Sequence, residues 1–215
     1  MAETLYNGIE LPEPWPPRNI RGESDEPLPV PYLENPPDII PVDVGRQLFV
    51  DDFLIAETTM KREFHLARKY EGNPVLSPQT TIETSRIDGR EVLPAAVPKG
   101  GGVWWDPEDD RFKMWYEAGW LGTMASAVSE DGLQWNRPSL DVDPPTNRIV
   151  PDLVPDSTTV FLDPHADDQQ QRFKMFLRSP NSVTGEGTAS GNSLVSPDGI
   201  HWSEPVKTGL VGDRS

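Results

Sequence analysis

The chain has 215 residues, enough for one large domain or for one domain with an extension. Hydrophobic residues make up 35% and prolines number 24, about twice the usual share, which excludes long helices because each proline removes a donor and clashes with the preceding turn. A formal charge of −16 repels phosphate backbones and anionic lipid, so neither nucleic acid nor a membrane surface is an expected partner.

Cysteine is absent, which rules out disulfides and thiolate chemistry. No stretch is long and apolar enough to span a bilayer. The opening residues Met1 to Arg18 lack the basic and apolar regions of a secretory signal, so the default expectation is a cytoplasmic protein. Seven Trp and seven Phe supply material for a core.

Residues 1–41 form a Pro-rich extension with runs such as Pro27-Leu28-Pro29-Val30-Pro31, which favour polyproline-like backbone over a packed element. Trp15 and Tyr32 are candidate anchors for a strap, and a free tail is the alternative. From Val42 the texture changes. Arg46 to Ile55 reads as a strand interrupted by Asp51-Asp52, and Met60 to Tyr70 as a second strand in which Phe64 and Leu66 alternate with basic residues. Gly72-Asn73-Pro74 signals a turn.

Beyond this point an internal repeat dominates. One copy runs Val103-Trp104-Trp105-Asp106-Pro107, then Arg111-Phe112-Lys113-Met114-Trp115-Tyr116, then Ser129-Glu130-Asp131-Gly132-Leu133-Gln134-Trp135. The second runs Val160-Phe161-Leu162-Asp163-Pro164, then Arg172-Phe173-Lys174-Met175-Phe176-Leu177, then Ser196-Pro197-Asp198-Gly199-Ile200-His201-Trp202. In each copy Asp-Pro predicts a turn between two antiparallel strands. The Arg-Phe-Lys-Met alternation predicts a strand with one face buried between sheets. In Ser-x-Asp-Gly-x-x-Trp, Asp and Gly make a turn and Trp returns to the apolar layer. Asp106, Asp131, Asp163 and Asp198 are accordingly read as turn residues. A multi-strand unit repeated after roughly sixty residues predicts an all-β fold, a β-propeller. Its blades are placed near 45–100, 101–150 and 156–210, with a fourth opening at 212, so that 42–215 would be an incomplete N-terminal portion of about three blades.

Several segments carry a resemblance to a known superfamily. They are Gly101-Gly102-Val103-Trp104-Trp105-Asp106-Pro107, Val160-Phe161-Leu162-Asp163-Pro164, the two Ser-x-Asp-Gly-x-x-Trp turns, and Asn73-Pro74-Val75-Leu76. Together they resemble the five-bladed β-propeller glycoside hydrolases, most nearly the N-terminal domain of glycoside hydrolase family 32. The family's opening Trp-Met-Asn-Asp-Pro-Asn-Gly motif is absent, and Phe49-Val50-Asp51-Asp52 stands where its carboxylate is expected. Its Arg-Asp-Pro motif is also missing, with Asp156 nearby.

The resemblance implies a hydrolase acting on glycosidic bonds of a carbohydrate substrate, chemistry that needs two carboxyl groups across the bond and no cofactor. Candidates at the starts of inner strands are Asp51, Asp52, Asp156 and Asp213. Alternation along a strand lets only one of Asp51 and Asp52 face a channel, and Asp52 is the slight preference; capping of backbone donors is the other reading of the pair. Arg214, His65, Arg86 and Asp88 are candidate substrate contacts. Asp213-Arg214 also reads as a plain surface ion pair, His65 as a half-buried strand residue, and Arg86 and Asp88 as solvent-facing. No metal site is expected, because no His/Cys cluster has zinc spacing and no acidic loop has calcium spacing. The loop from Gly185 to Gly191 lacks the lysine of a phosphate cradle. Two other functions fit the same fold: a non-catalytic propeller that binds glycans or proteins, and a sialidase-like propeller, whose Asp-box carries one more residue between Asp and Gly.

Overall fold

The computed structural model describes residues 3–4, 10–11, 13, 36, 38–40, 48–98, 100, 102–183 and 189–210. The chain divides into two compact units, Met1–Ala67 and Arg68–Ser215.

In the first unit, β1 (Glu3–Thr4) pairs antiparallel with β2 (Glu10–Leu11). The strand expected across Asp51-Asp52 is a turn instead. Asp51 Oδ1 accepts the Phe53 N–H at 3.0 Å, and the Ile55 N–H donates to the Asp52 carbonyl at 3.0 Å. These local bonds fold the chain back within four residues and remove the donors a ladder would use. Met60 to Tyr70, also read as a strand, has no ladder partner among the described residues, and Phe64 and Leu66 are exposed.

The second unit is all-β, as the sequence predicts, with a single short helix among the described residues, α1 (Thr81–Thr84), and a 3-10 turn over Gln169–Gln171. After α1 come β3 (Arg86–Ile87) and β4 (Arg90–Glu91), a hairpin turning on Asp88-Gly89 with φ of 48° and 80°. Positive φ at both central residues matches the right-handed twist of the flanking strands, which is why Asp-Gly is favoured there.

Two four-stranded antiparallel sheets follow, one per repeat. In the first, β7 (Arg111–Ala118) is central. β8 (Thr123–Ser129) covers one edge; β6 (Val103–Asp106) and then β5 (Ala96–Val97) share the other. Isolated bridges Val128↔Asn136 and Ala125↔Arg148 extend the sheet beyond β8. The second sheet is a regular meander of β9 (Ser157–Leu162), β10 (Phe173–Val183), β11 (Ala189–Ser196) and β12 (Val206–Leu210), each strand paired to the next. The repeats share their register. Phe112 pairs with Trp105 and Ser129, and the equivalent Phe173 pairs with Leu162 and Ser196.

The Ser-x-Asp-Gly-x-x-Trp turns also build alike. Asp131 Oδ1 accepts the Leu133 and Gln134 N–H groups, each at 2.8 Å, and Asp198 Oδ1 accepts those of Ile200 and His201 at 2.8 and 2.9 Å. Trp135 Nε1 donates to the Gly132 carbonyl and Trp202 Nε1 to that of Gly199, both at 3.1 Å. The Asp residues are turn residues, as the sequence indicated.

The main core lies between the two sheets. Trp115, Met124 and Ile149 of the first meet Val160, Phe173 and Met175 of the second. A second cluster, with Met114 and Tyr116 packed on Ile82, Ile87 and Val92, covers the other face of the first sheet. Among the described residues no helix is long and apolar enough to cross a membrane.

Candidate functional site

The two sheets stack with their equivalent ends together. Asp106, closing β6, forms an ion pair with Arg172, just before β10, with Nη2 2.6 Å from Oδ1. The turn ends of both repeats therefore lie side by side, and the opposite ends bring together the region where β7 closes and β9 begins. Two charged side chains occupy one repeat position at that far end, Glu117 in the first repeat and Arg178 in the second. Each follows an alternating apolar strand, and each is largely withdrawn from solvent.

Asp156 stands immediately before β9. Its N–H donates to the Arg178 carbonyl at 3.0 Å, and its carboxylate forms an ion pair with the Arg178 guanidinium. The Arg178 Nε is buried and has no hydrogen-bond partner among the described residues, leaving the guanidinium a donor beyond its carboxylate. Glu117 is fully buried and accepts the Leu121 N–H at 2.6 Å on Oε1. Gly100, just ahead of β6, approaches β9 so closely that a Cβ there would meet the Thr158 carbonyl oxygen at 2.6 Å. This close approach needs a residue without a side chain, and it draws the segment before β6 toward the start of β9.

At the turn end, a cavity of about 380 Å³ is walled by Trp104, Trp105, Leu162 and Pro164, with Asp163 and Arg172 among its polar groups. Trp104 is fixed by an Nε1–H donated to the Val160 carbonyl at 2.8 Å and by edge-to-face packing on Phe161, and Trp105 packs edge-on against Phe112. Arg172 is also held by Glu108, 3.0 Å from its Nε. Burial pushes the Asp106 carboxyl up, but bonds from Arg172 and Lys113 outweigh it and hold the group below the usual carboxylate range. The Lys174 ammonium beside Asp163 likewise depresses that carboxyl. Rigid aromatic faces beside hydrogen-bonding carboxylates suit a polyhydroxylated ring, whose C–H faces are apolar and whose rim is polar.

The other sequence candidates are dispersed. Asp52 is exposed and ion-paired with Arg62, on the wall of an open depression of about 920 Å³ that also involves Phe49, Ile55 and Met60. Asp51 spends a carboxylate oxygen on its own turn. His65 is exposed, 3.9 Å from Glu63. Arg86 faces Glu91 across the β3–β4 hairpin at 3.6 Å. Asp88 sits at the tip of that hairpin and holds buried Arg148 through both oxygens, at 3.0 and 2.9 Å. Asp213 and Arg214 lie outside the described residues.

Three features escaped the sequence reading. Arg178 and Glu117 were detectable only by asking which charged residue recurs at one repeat position. The third is a buried network centred on Glu83, which accepts from Tyr116 Oη and Arg137 Nε, each at 2.6 Å, and from the Gln79 and Thr80 N–H groups. Burial pushes Glu83 up and these donors bring it below its ordinary value. Asn147 adds a bond to the Tyr116 oxygen at 2.7 Å. This network anchors α1 to the first sheet; its local part, the Thr80-x-x-Glu83 capping box, is a readable signal, whereas the bonds from Tyr116 and Arg137 have none.

Among the described residues there is no group of three or more His, Asp or Glu placed to hold a metal ion. Compared with protein-family models, curated proteins and solved structures, the chain gives no significant match to any of them.

Proposed function

We propose that this chain forms part of a β-propeller and acts on carbohydrate as a glycoside hydrolase, with Asp156 as one working carboxylate and Arg178 orienting it. The observation that carries the reading is the stacking of two like sheets whose first strands start at one end, with the Asp156–Arg178 pair at the second of those starts. In a propeller the first strands of the blades converge on the axis, so a side chain at such a start faces the channel. Hydrolysis needs a carboxylate on each side of the bond. Glu117, at the same end of the stack, is assigned the second position. Arg178 supports this by placing a guanidinium against the Asp156 carboxylate and by retaining an Nε–H for a sugar hydroxyl. The strongly acidic chain favours a neutral glycan over a polyanionic one.

The test is a hydrolysis screen against aryl-glycosides and oligosaccharides, with sugar release followed chromatographically. Asp156→Asn should lower turnover by about 10²-fold or more with unchanged circular dichroism. Unchanged turnover removes Asp156 from the site. A second reading, glycan binding without cleavage, is favoured by the cavity beside Trp104 and Trp105. Oligosaccharide-induced quenching of tryptophan fluorescence, lost in Trp105→Ala and unaccompanied by sugar release, would select it.

A further inference from the structure

The first repeat shows what covers one of its faces, and the second repeat presents the same face with Phe161, Lys174 and Phe176 still partly exposed. In the first repeat, Lys113, Trp115 and Glu117 point toward the second sheet. Trp115 Nε1 donates to the Gly199 carbonyl at 2.7 Å, Lys113 Nζ donates to the Asp198 carbonyl at 3.0 Å, and Asp106 takes Arg172. The arriving sheet thus brings an arginine ahead of its second strand, an apolar row of Phe173, Met175 and Leu177, and the Ser-x-Asp-Gly turn that seats over Trp115.

The equivalent outward face of the second repeat carries Phe161, Asp163, Lys174, Phe176 and Arg178 in the same register. Phe161 and Phe176 are 44% and 37% exposed, and Val206 on β12 is 66% exposed. The side chain of Lys174 is 42% exposed where that of Lys113 is 5% exposed. Asp163 holds its own-repeat lysine, as Asp106 does, but has no arginine partner among the described residues. Half of each inter-sheet contact is therefore present.

We propose that this face is an interface for one further four-stranded sheet of the same repeat type. That sheet supplies an arginine to Asp163, an apolar strand row to Phe176 and Phe161, and a Ser-x-Asp-Gly turn whose Asp carbonyl accepts from Lys174. The match is electrostatic as well as apolar, since a carboxylate that faces a closing interface with one lysine partner, where Asp106 has a lysine and an arginine, selects a second cation. A second copy of this chain is a poorer occupant. Its Arg111 lies before a strand whose Met114 and Tyr116 are already covered by Ile82, Ile87 and Val92. The inference holds whether or not the chain cleaves a glycosidic bond.

The experiment extends the full chain with a tandem copy of residues 156–210 placed after residue 210. The expected result is a single cooperative unfolding transition raised by about 5 °C or more, with the added sheet resistant to limited proteolysis. Replacing Asp163 by Asn should lower that transition in the extended chain and leave the unextended chain within about 1 °C. Digestion of the added sheet with no change in melting, or an Asp163 effect equal in both chains, would overturn the proposal. So would sedimentation showing that the unextended chain dimerises and that Phe176→Glu abolishes the dimer, because the face would then belong to a second copy.

Discussion

The two repeats use one pattern and one register, yet their central strands live in different environments. In β7 both faces are covered: Lys113, Trp115 and Tyr116 are all under 5% exposed. In β10 the face toward the first sheet is covered, with Phe173, Met175, Leu177 and Ser179 buried, whereas Phe176, the counterpart of Trp115, stays 37% exposed. A lysine buried between sheets is tolerable in the first repeat because Asp106, Asp109 and the Asp198 carbonyl surround its ammonium at 2.8, 2.6 and 3.0 Å. The same residue in the second repeat keeps a simple half-exposed pair with Asp163. A repeat residue's role is therefore set by whether a neighbouring sheet lies against it.

Four experiments would break or sharpen this contrast. The largest effect is expected at the covered aromatic position. Trp115→Ala empties a fully packed site and removes one of the two indole donors to the Gly199 carbonyl, which should cost about 3–5 kcal/mol in urea unfolding. Phe176→Ala, at the matching open position, should cost about 1 kcal/mol.

Next comes the arginine that joins the sheets. Arg172→Met leaves Asp106 buried with only Lys113 for charge, an expected loss of about 2–4 kcal/mol. Arg111→Met, at the exposed equivalent, should change stability by no more than about 0.5 kcal/mol.

The turn glycines differ for the same reason. Both have positive φ, 72° at Gly132 and 79° at Gly199. A Cβ at Gly132 meets Phe112 at an ordinary 3.7 Å, whereas one at Gly199 meets Trp115 at 2.4 Å. Thermal unfolding should show Gly132→Ala costing about 1 kcal/mol, from backbone strain alone, and Gly199→Ala about 2–3 kcal/mol.

The smallest effect is electrostatic. His201 takes the place of Gln134, and its Nδ1 lies 2.7 Å from Asp198 while its Nε2 lies 3.0 Å from Asp141. The bond to Asp198 is the largest influence raising the imidazole above its ordinary 6.5. For Asp198, burial pushes upward, but His201, backbone donors and Ser196 bring the carboxyl down to about 2. The histidine's contribution is complete below pH 6.5 and is lost as pH rises through its raised folded value. Asp198 contributes above its ordinary 3.8 and loses that only as pH falls toward about 2. Stability should therefore decline slightly from pH 6 to 8, and His201→Gln should flatten that decline. The imidazole is more than half exposed, so solvent screening limits the difference to about 0.5 kcal/mol. Urea midpoints of both proteins across that range are the check.

Much of the fold was legible because its signals are local and repeated. Asp131 and Asp198 bind N–H groups two and three residues onward, so their turns follow from the motif wherever it stands. The same locality explains why 48–55, the described part of the segment read as a strand, forms a turn. Alternating apolar residues suggested a strand, but Asp51 satisfied the Phe53 N–H itself, and a turn needs no partner strand while a strand does. Of the candidate site, Asp156 was legible from its place just before the strand of the second repeat, β9. Its partner Arg178 was not, because the two are joined only through the β9–β10 pairing.

The amino-acid sequence by itself determined the β character, the repeat unit, its turns and its register, since each depends on groups a few residues apart or on one hairpin. Only the tertiary structure decided which copy of each repeated residue is buried. The bonds that decide it span 85 residues from Lys113 to Asp198, 84 from Trp115 to Gly199 and 66 from Asp106 to Arg172. Identical side chains then differ because a second sheet has displaced water from one and left it on the other.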